Sequence, residues 1–154
     1  YDYCGAGCYF VTVCVQGGER LFWEGGRAGL EPAPTNSLGD LVAQTWLELP
    51  AHTTGIRMDK FIVMPNHFHG VIILENGCVG AGSKPARTSL SEAMRQFKTF
   101  SARKINLVRG TPGKPLWQRG FYDHIIRNEA DYLRIWQYID TNPAKWEEDE
   151  YYIQ

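Results

Sequence analysis

The run Tyr9-Phe-Val-Thr-Val-Cys-Val15 is built of β-branched and aromatic residues and stops at Gly17-Gly18, the composition and ending of a buried strand. After Ser37 the apolar period changes. Leu38, Leu41, Val42, Thr45, Trp46 and Leu49 recur every three or four positions up to Pro50, which predicts an amphipathic helix capped by Ser37. Residues 56–64 and 67–74 return to strand composition on either side of Pro65-Asn66, so 56–74 is expected to be a β-hairpin. Leu90, Met94, Phe97, Ser101 and Ile105 restore the helical period until residues 110–115 break it. A fourth strand is expected over 117–127, with Asn128 capping a last helix that Asn142-Pro143 ends near Thr141. The Gly- and Pro-punctuated segment 17–36 reads as a loop, with Leu21-Phe-Trp23 a short strand or an anchor inside it, and 75–88 as a mobile loop.

This order, strand, helix, strand, strand, helix, strand, helix, is that of the split βαβ plan: an α+β, ferredoxin-like (RRM-like) antiparallel four-stranded sheet with helices on one face and an extra C-terminal helix. At 154 residues the chain is expected to be a single domain, 1–154. No apolar run is long enough to cross a bilayer and no basic-then-apolar leader is visible, which makes a cytoplasmic location the default expectation. Cys4, Cys8, Cys14 and Cys78 lack the paired spacing of a zinc knuckle and are read as thiols, with a structural zinc site as the alternative.

Charge changes the picture. The net formal charge of −1 argues against a nucleic-acid partner, yet residues 84–127 carry ten basic residues against Glu92 and Asp123, while acidic residues gather elsewhere, as at Glu147, Glu148, Asp149 and Glu150. A positive face can therefore coexist with a neutral total, although a solvated helix face would look the same. Arg95, Lys98, Arg103, Lys104, Arg119 and Arg127 are the candidates for neutralising phosphates, and Trp117 or Phe121 for stacking on unpaired bases, unless those aromatics are core.

Candidate chemistry centres on His67 and His69. Strand side chains alternate, so both imidazoles face one side and Phe68 the other, and two neutral nitrogens can converge on one cation. A lone His-x-His can equally pack or cap a hairpin, so a third ligand is needed to choose. Tyr138 and Asn142 stand four apart on the last helix and share a face, off the apolar stripe of Tyr132, Trp136 and Ile139. That offset favours Tyr138 over Tyr132 as a reactive phenol, although Tyr138 as a half-buried aromatic and Asn142 as a helix cap account for both residues as well. His124 is read as structural.

Four ordered segments, Pro65-Asn66-His67-Phe68-His69, Leu116-Trp117-Gln118-Arg119, Asp123-His124-Ile125-Ile126-Arg127 and Tyr138-Ile139-Asp140-Thr141-Asn142-Pro143, together resemble the REP-associated tyrosine transposases, within the single-tyrosine HUH endonucleases. The resemblance implies a ferredoxin-like fold, a divalent metal (Mg²⁺ or Mn²⁺) on His67 and His69 with Asn142 completing the site, and Tyr138 as the nucleophile. It further implies a 5′-phosphotyrosine intermediate, single-stranded DNA beside a short palindromic repeat hairpin as substrate, and a monomer or homodimer. Two rival expectations remain: a non-catalytic single-stranded nucleic-acid-binding domain, and a hydrolase whose His-bound metal activates water.

Overall fold

Four strands hydrogen-bond in the order β2-β3-β1-β4, every neighbouring pair antiparallel. They are β1 (Ala6–Cys14), β2 (Ile56–Val63), β3 (His67–Glu75) and β4 (Tyr122–Ile125), interleaved with α1 (Ser37–His52), α2 (Leu90–Arg109) and α3 (Glu129–Thr141). The computed structural model describes residues 6–24, 35–75, 88–143 and 145. Readings that fall on Cys4, Cys78, Lys84, Arg87, the loop 76–87 and the acidic run 147–150 lie outside the described residues. The expected α+β, ferredoxin-like plan is the one observed.

Alternation along the two central strands divides the protein into two cores. Val11 and Val13 of β1, Val15 just after it, and Phe68 and Ile72 of β3 face α1 and α2, where Phe68 packs on Trp46 and Phe97 at ring-centroid distances of 4.7 and 4.9 Å. Cys8 of β1 and Val71 and Ile73 of β3 face the other way and are covered by Ile135 and Ile139 of α3. β3 is thus buried on both faces, and Gly70 shows how tightly: a Cβ there would stand 2.7 Å from the Trp46 ring and 2.8 Å from that of Phe68. Burial pushes the Cys8 thiol up to about 11, so it is a packing group at neutral pH.

The element ends show where local chemistry differs from the sequence expectation. The cap of α1 is Asn36, whose side chain accepts from the Gly39 N–H at 2.9 Å; Ser37 is the first helical residue. Pro50 does not stop α1, which continues to His52, because a proline in the last turn removes one backbone donor without displacing the packed Trp46 and Leu49 before it. Ser89 and Asn128 cap α2 and α3, and Gly110 closes α2 in the left-handed conformation that glycine adopts without strain. Leu21, Phe22 and Trp23 form an anchor: all three are buried, and the Trp23 indole donates to Val63 O at 2.7 Å.

β4 is shorter than the expected 117–127. Trp117 makes only an isolated bridge to Val15, and the chain then turns through Gly120, with φ of 71°, before pairing begins at Tyr122. α3 carries a second departure. Its buried stripe is Ile135 and Ile139, whereas Trp136 lies exposed at the helix flank and Tyr132 is half-buried, its hydroxyl donating to Asp59 of β2.

Among the described residues no helix is long and apolar enough to cross a membrane.

Candidate active site

His67 and His69 project from β3 onto the α3 side of the sheet, both essentially buried. Their Nε2 atoms stand 3.0 Å apart. The outer nitrogen of each ring is held: His67 Nδ1 lies 2.8 Å from Asn66 Oδ1, and His69 Nδ1 lies 2.8 Å from Thr12 Oγ1, across the β1–β3 register that pairs those two residues. Asn66 Nδ2 donates to Gly18 O at 3.3 Å, which turns the amide oxygen toward His67. His67 Nδ1 therefore carries the ring proton and His67 Nε2 presents a lone pair.

Burial pulls the pKa of both imidazoles far below the ordinary value, and for His67 the charge on its neighbour adds to this. Both are neutral at physiological pH, as ligands must be. With two neutral rings, the 3.0 Å approach is satisfied when His69 Nε2 donates to His67 Nε2 and the Thr12 hydroxyl donates to His69 Nδ1. A hydroxyl can also accept, so moving the His69 proton to Nδ1 leaves two lone pairs aimed at a common point. Nitrogens on adjacent corners of an octahedral ion with bonds of about 2.1 Å stand about 3.0 Å apart, the spacing found here. The pair fits a divalent cation.

Among the described residues no three His, Cys, Asp or Glu side chains are grouped to hold a metal, so a third ligand drawn from them would be of another residue type. Asn142 has an amide oxygen of the kind required. It follows α3 with helical backbone, is buried, and its amide nitrogen has no hydrogen-bond partner among the described residues. The unmet atom is a donor, so a cation would be met by the amide oxygen and not by this nitrogen.

Tyr138 meets this site from α3. Its ring stands edge-on to His69, with centroids 5.5 Å apart, and edge-on to Phe10 at 5.9 Å. It is 41% exposed, so the phenol borders both the histidine and solvent. His124, on β4 beside Phe10, holds Asp131 in the first turn of α3 at 2.7 Å and so ties the edge strand to the helix.

The basic candidates divide by location. Arg95, Lys98, Arg103 and Lys104 belong to α2, across the sheet from the histidines. Arg95 is held by Glu92 through two hydrogen bonds of 2.9 and 2.6 Å, and Lys104 pairs with Glu48 at 3.1 Å. The Lys98 ammonium donates to Gln118 O at 2.7 Å and Gly120 O at 2.8 Å, so it clamps the loop that leads into β4. Arg119 and Arg127 lie exposed at the two ends of β4. Trp117 does not serve as a stacking surface: it is 7% exposed, its indole donates to Ser101 Oγ at 2.9 Å, and its ring packs on Phe22 and Phe97. Tyr122, which the sequence reading did not single out, is the aromatic that lies open. It pairs with Thr12, which touches His69, and it is 64% exposed on the histidine face. Alternation on β4 was the signal available, since Tyr122 shares the parity of His124 and not that of Ile125.

No family model matches the chain. An uncharacterized protein of Haemophilus influenzae is 34% identical over 168 residues, which cover 99% of this chain and 89% of that protein. Among solved structures, a REP-associated tyrosine transposase bound to a REP hairpin superposes with a TM-score of 0.62 at 21% identity, covering 95% of this chain and 72% of the other. A provisionally assigned transposase of Deinococcus radiodurans gives a TM-score of 0.55 at 15% identity over 94% and 95%. The chain belongs to the same family as the Haemophilus influenzae protein and is built on the fold of the REP-associated tyrosine transposase.

Proposed function

We propose that this protein is a metal-dependent tyrosine transposase of the REP-associated, HUH type: a single-stranded DNA endonuclease and strand transferase that works through a 5′-phosphotyrosine on Tyr138. The observation that carries the reading is the placement of the Tyr138 ring against His69, whose Nε2 converges with that of His67. The fold neighbour bound to a REP hairpin supports single-stranded DNA beside a palindromic hairpin as the substrate class.

His67, His69 and Asn142 would hold the cation, Mg²⁺ or Mn²⁺. When bound, it supplies charge withdrawal from a non-bridging phosphate oxygen and orientation of the scissile phosphate. Tyr138 loses its phenolic proton, a step that an ordinary pKa of about 10 makes rare without help from the site. Its oxygen then forms the new bond to phosphorus as the bond to the 3′ oxygen breaks, and the departing oxygen takes a proton to become a free 3′-hydroxyl. The phosphotyrosine ester conserves the phosphodiester linkage, so attack by another 3′-hydroxyl reverses the step and joins strands without ATP. Arg119 and Arg127 would neutralise flanking phosphates, and Tyr122 offers an unpaired base a stacking surface.

The test is a labelled single-stranded hairpin DNA incubated with the protein and Mg²⁺ or Mn²⁺, followed by denaturing electrophoresis. A protein–DNA adduct that disappears in Tyr138→Phe is expected. Cleavage that persists in Tyr138→Phe without an adduct would instead mean a hydrolase that activates water, and binding without cleavage would mean a nucleic-acid-binding domain.

A further inference from the structure

The sheet grips the tyrosine helix through one irregularity. The β2–β3 register shifts between Met58 and Phe61, and the two residues inside the shift, Asp59 and Lys60, both reach α3. Asp59 Oδ2 accepts from the Tyr132 hydroxyl at 2.6 Å. The Lys60 ammonium sits 3.3 Å from the centroid of the Trp136 ring and 2.9 Å from Asp140 Oδ1. Tyr132, Trp136 and Asp140 recur every four residues and so form one stripe along α3, separate from the buried stripe of Ile135 and Ile139. Asp59 Oδ1 also accepts from the Lys60 backbone N–H at 2.7 Å, which ties the two prongs together.

The buried stripe alone is a poor determinant of register. Isoleucine on isoleucine is non-directional, and α3 could slide or roll by a fraction of a residue with little loss of buried area. The polar contacts are directional and bracket Tyr138: Trp136 lies two residues before it and Asp140 two after, and Lys60 touches both.

We propose that Asp59 and Lys60 are positioning residues that set how Tyr138 is presented to the phosphate. This rests on the reading of Tyr138 as the nucleophile. A bulge places two consecutive side chains where a regular strand would place one, and here both point at the helix that bears the reacting oxygen. Displacing that oxygen by about 1 Å is enough to slow attack by up to about a hundredfold, whereas substrate affinity, which depends on the sheet and β4, is untouched.

Single-turnover adduct formation and DNA affinity are measured separately for full-length wild type, Lys60→Ala, Lys60→Arg and the charge exchange Lys60→Glu with Asp140→Lys. Lys60→Ala is expected to slow adduct formation by about tenfold to about a hundredfold, with the Kd for hairpin DNA within about twofold of wild type because the Tyr122 face is unaltered. Lys60→Arg keeps both the cation–π contact and the ion pair and is expected to retain the wild-type rate, and the charge exchange to recover much of it. Hydrogen exchange across 132–141 is expected to rise in Lys60→Ala alone. A wild-type rate in Lys60→Ala overturns the proposal, as does a loss in Kd equal to the loss in rate, which would make Lys60 a DNA contact. Wild type that forms no adduct at all overturns instead the reading of Tyr138.

Discussion

The edge of the Tyr138 ring rests on His69, at 5.5 Å between centroids and an interplanar angle of 66°. This contact, like the one to Phe10, is made by the ring, which phenylalanine keeps. Tyr138→Phe is therefore expected to keep the docking of α3 and the thermal midpoint within a degree or two of wild type, about the effect of a surface substitution, while all covalent adduct is lost. A drop in stability comparable to a core truncation would show that the hydroxyl is a structural group.

Thr12 touches no proposed substrate, yet its hydroxyl lies 2.8 Å from His69 Nδ1 and orients that ring in either tautomer. Thr12→Val removes the hydroxyl that lies 2.8 Å from Nδ1, at equal volume, and is expected to weaken Mn²⁺ binding by about tenfold to a hundredfold, the usual effect of deleting a group that orients a metal ligand. Calorimetric titration with Mn²⁺ reads this directly, and an unchanged affinity would place the cation elsewhere.

The buried histidines also give stability a pH dependence. Their folded-state pKa values lie well below the unfolded value of about 6.5, so between those limits the unfolded chain binds protons that the folded chain refuses. Stability is then fully present above about 6.5 and falls as the pH drops below it. Urea midpoints in the presence of a chelator are expected to decline steadily from pH 7 to pH 5, and His67→Gln is expected to flatten that decline. A profile that stays level in wild type would mean that the rings are not buried as neutral groups.

Gly70 follows the second histidine because β3 has no room there on its helix-covered face. Gly70→Ala forces a methyl group into the Trp46 and Phe68 rings and is expected to cost about 1–3 kcal/mol in urea denaturation. If the substitution is neutral, the two aromatic rings move freely and the core that seats the histidine strand is loose.

Tyr122→Ala is expected to weaken binding of single-stranded DNA by about 1–3 kcal/mol, with Tyr122→Trp restoring it, since stacking needs a ring and not a hydroxyl. Fluorescence anisotropy with labelled DNA separates the two variants. Equal binding by Tyr122→Ala and wild type would remove the edge strand from the substrate path.

The sheet and its order were legible because strand alternation is local: His67, Phe68 and His69 declare two faces within three residues, and Val11 and Val13 do the same on the neighbouring strand. The placement of Trp117 was not legible. Whether an aromatic stacks on DNA or packs on Phe97 depends on a loop that Lys98 pulls inward from twenty residues away. The stripe on α3 was misjudged for a related reason: Trp136 has core composition, but a lysine supplied by the β2 bulge gives it a partner at the surface. Local pattern records which residues are apolar, and tertiary contacts decide which of them need burial. Tyr138 could be separated from Tyr132 by helical offset alone, whereas what holds Tyr132, the carboxylate of Asp59, lies 73 positions away.

A hydrogen-bonded line runs from Thr12 through His69 and His67 to Asn66. A zinc finger unfolds when its ion is stripped, because its ligands have no other reason to meet. Here the strand register, Thr12 and Asn66 seat the two rings, so under the proposed function loading and folding are expected to be separate events: a chelator is expected to abolish adduct formation without unfolding the protein, and adding Mn²⁺ back to restore it.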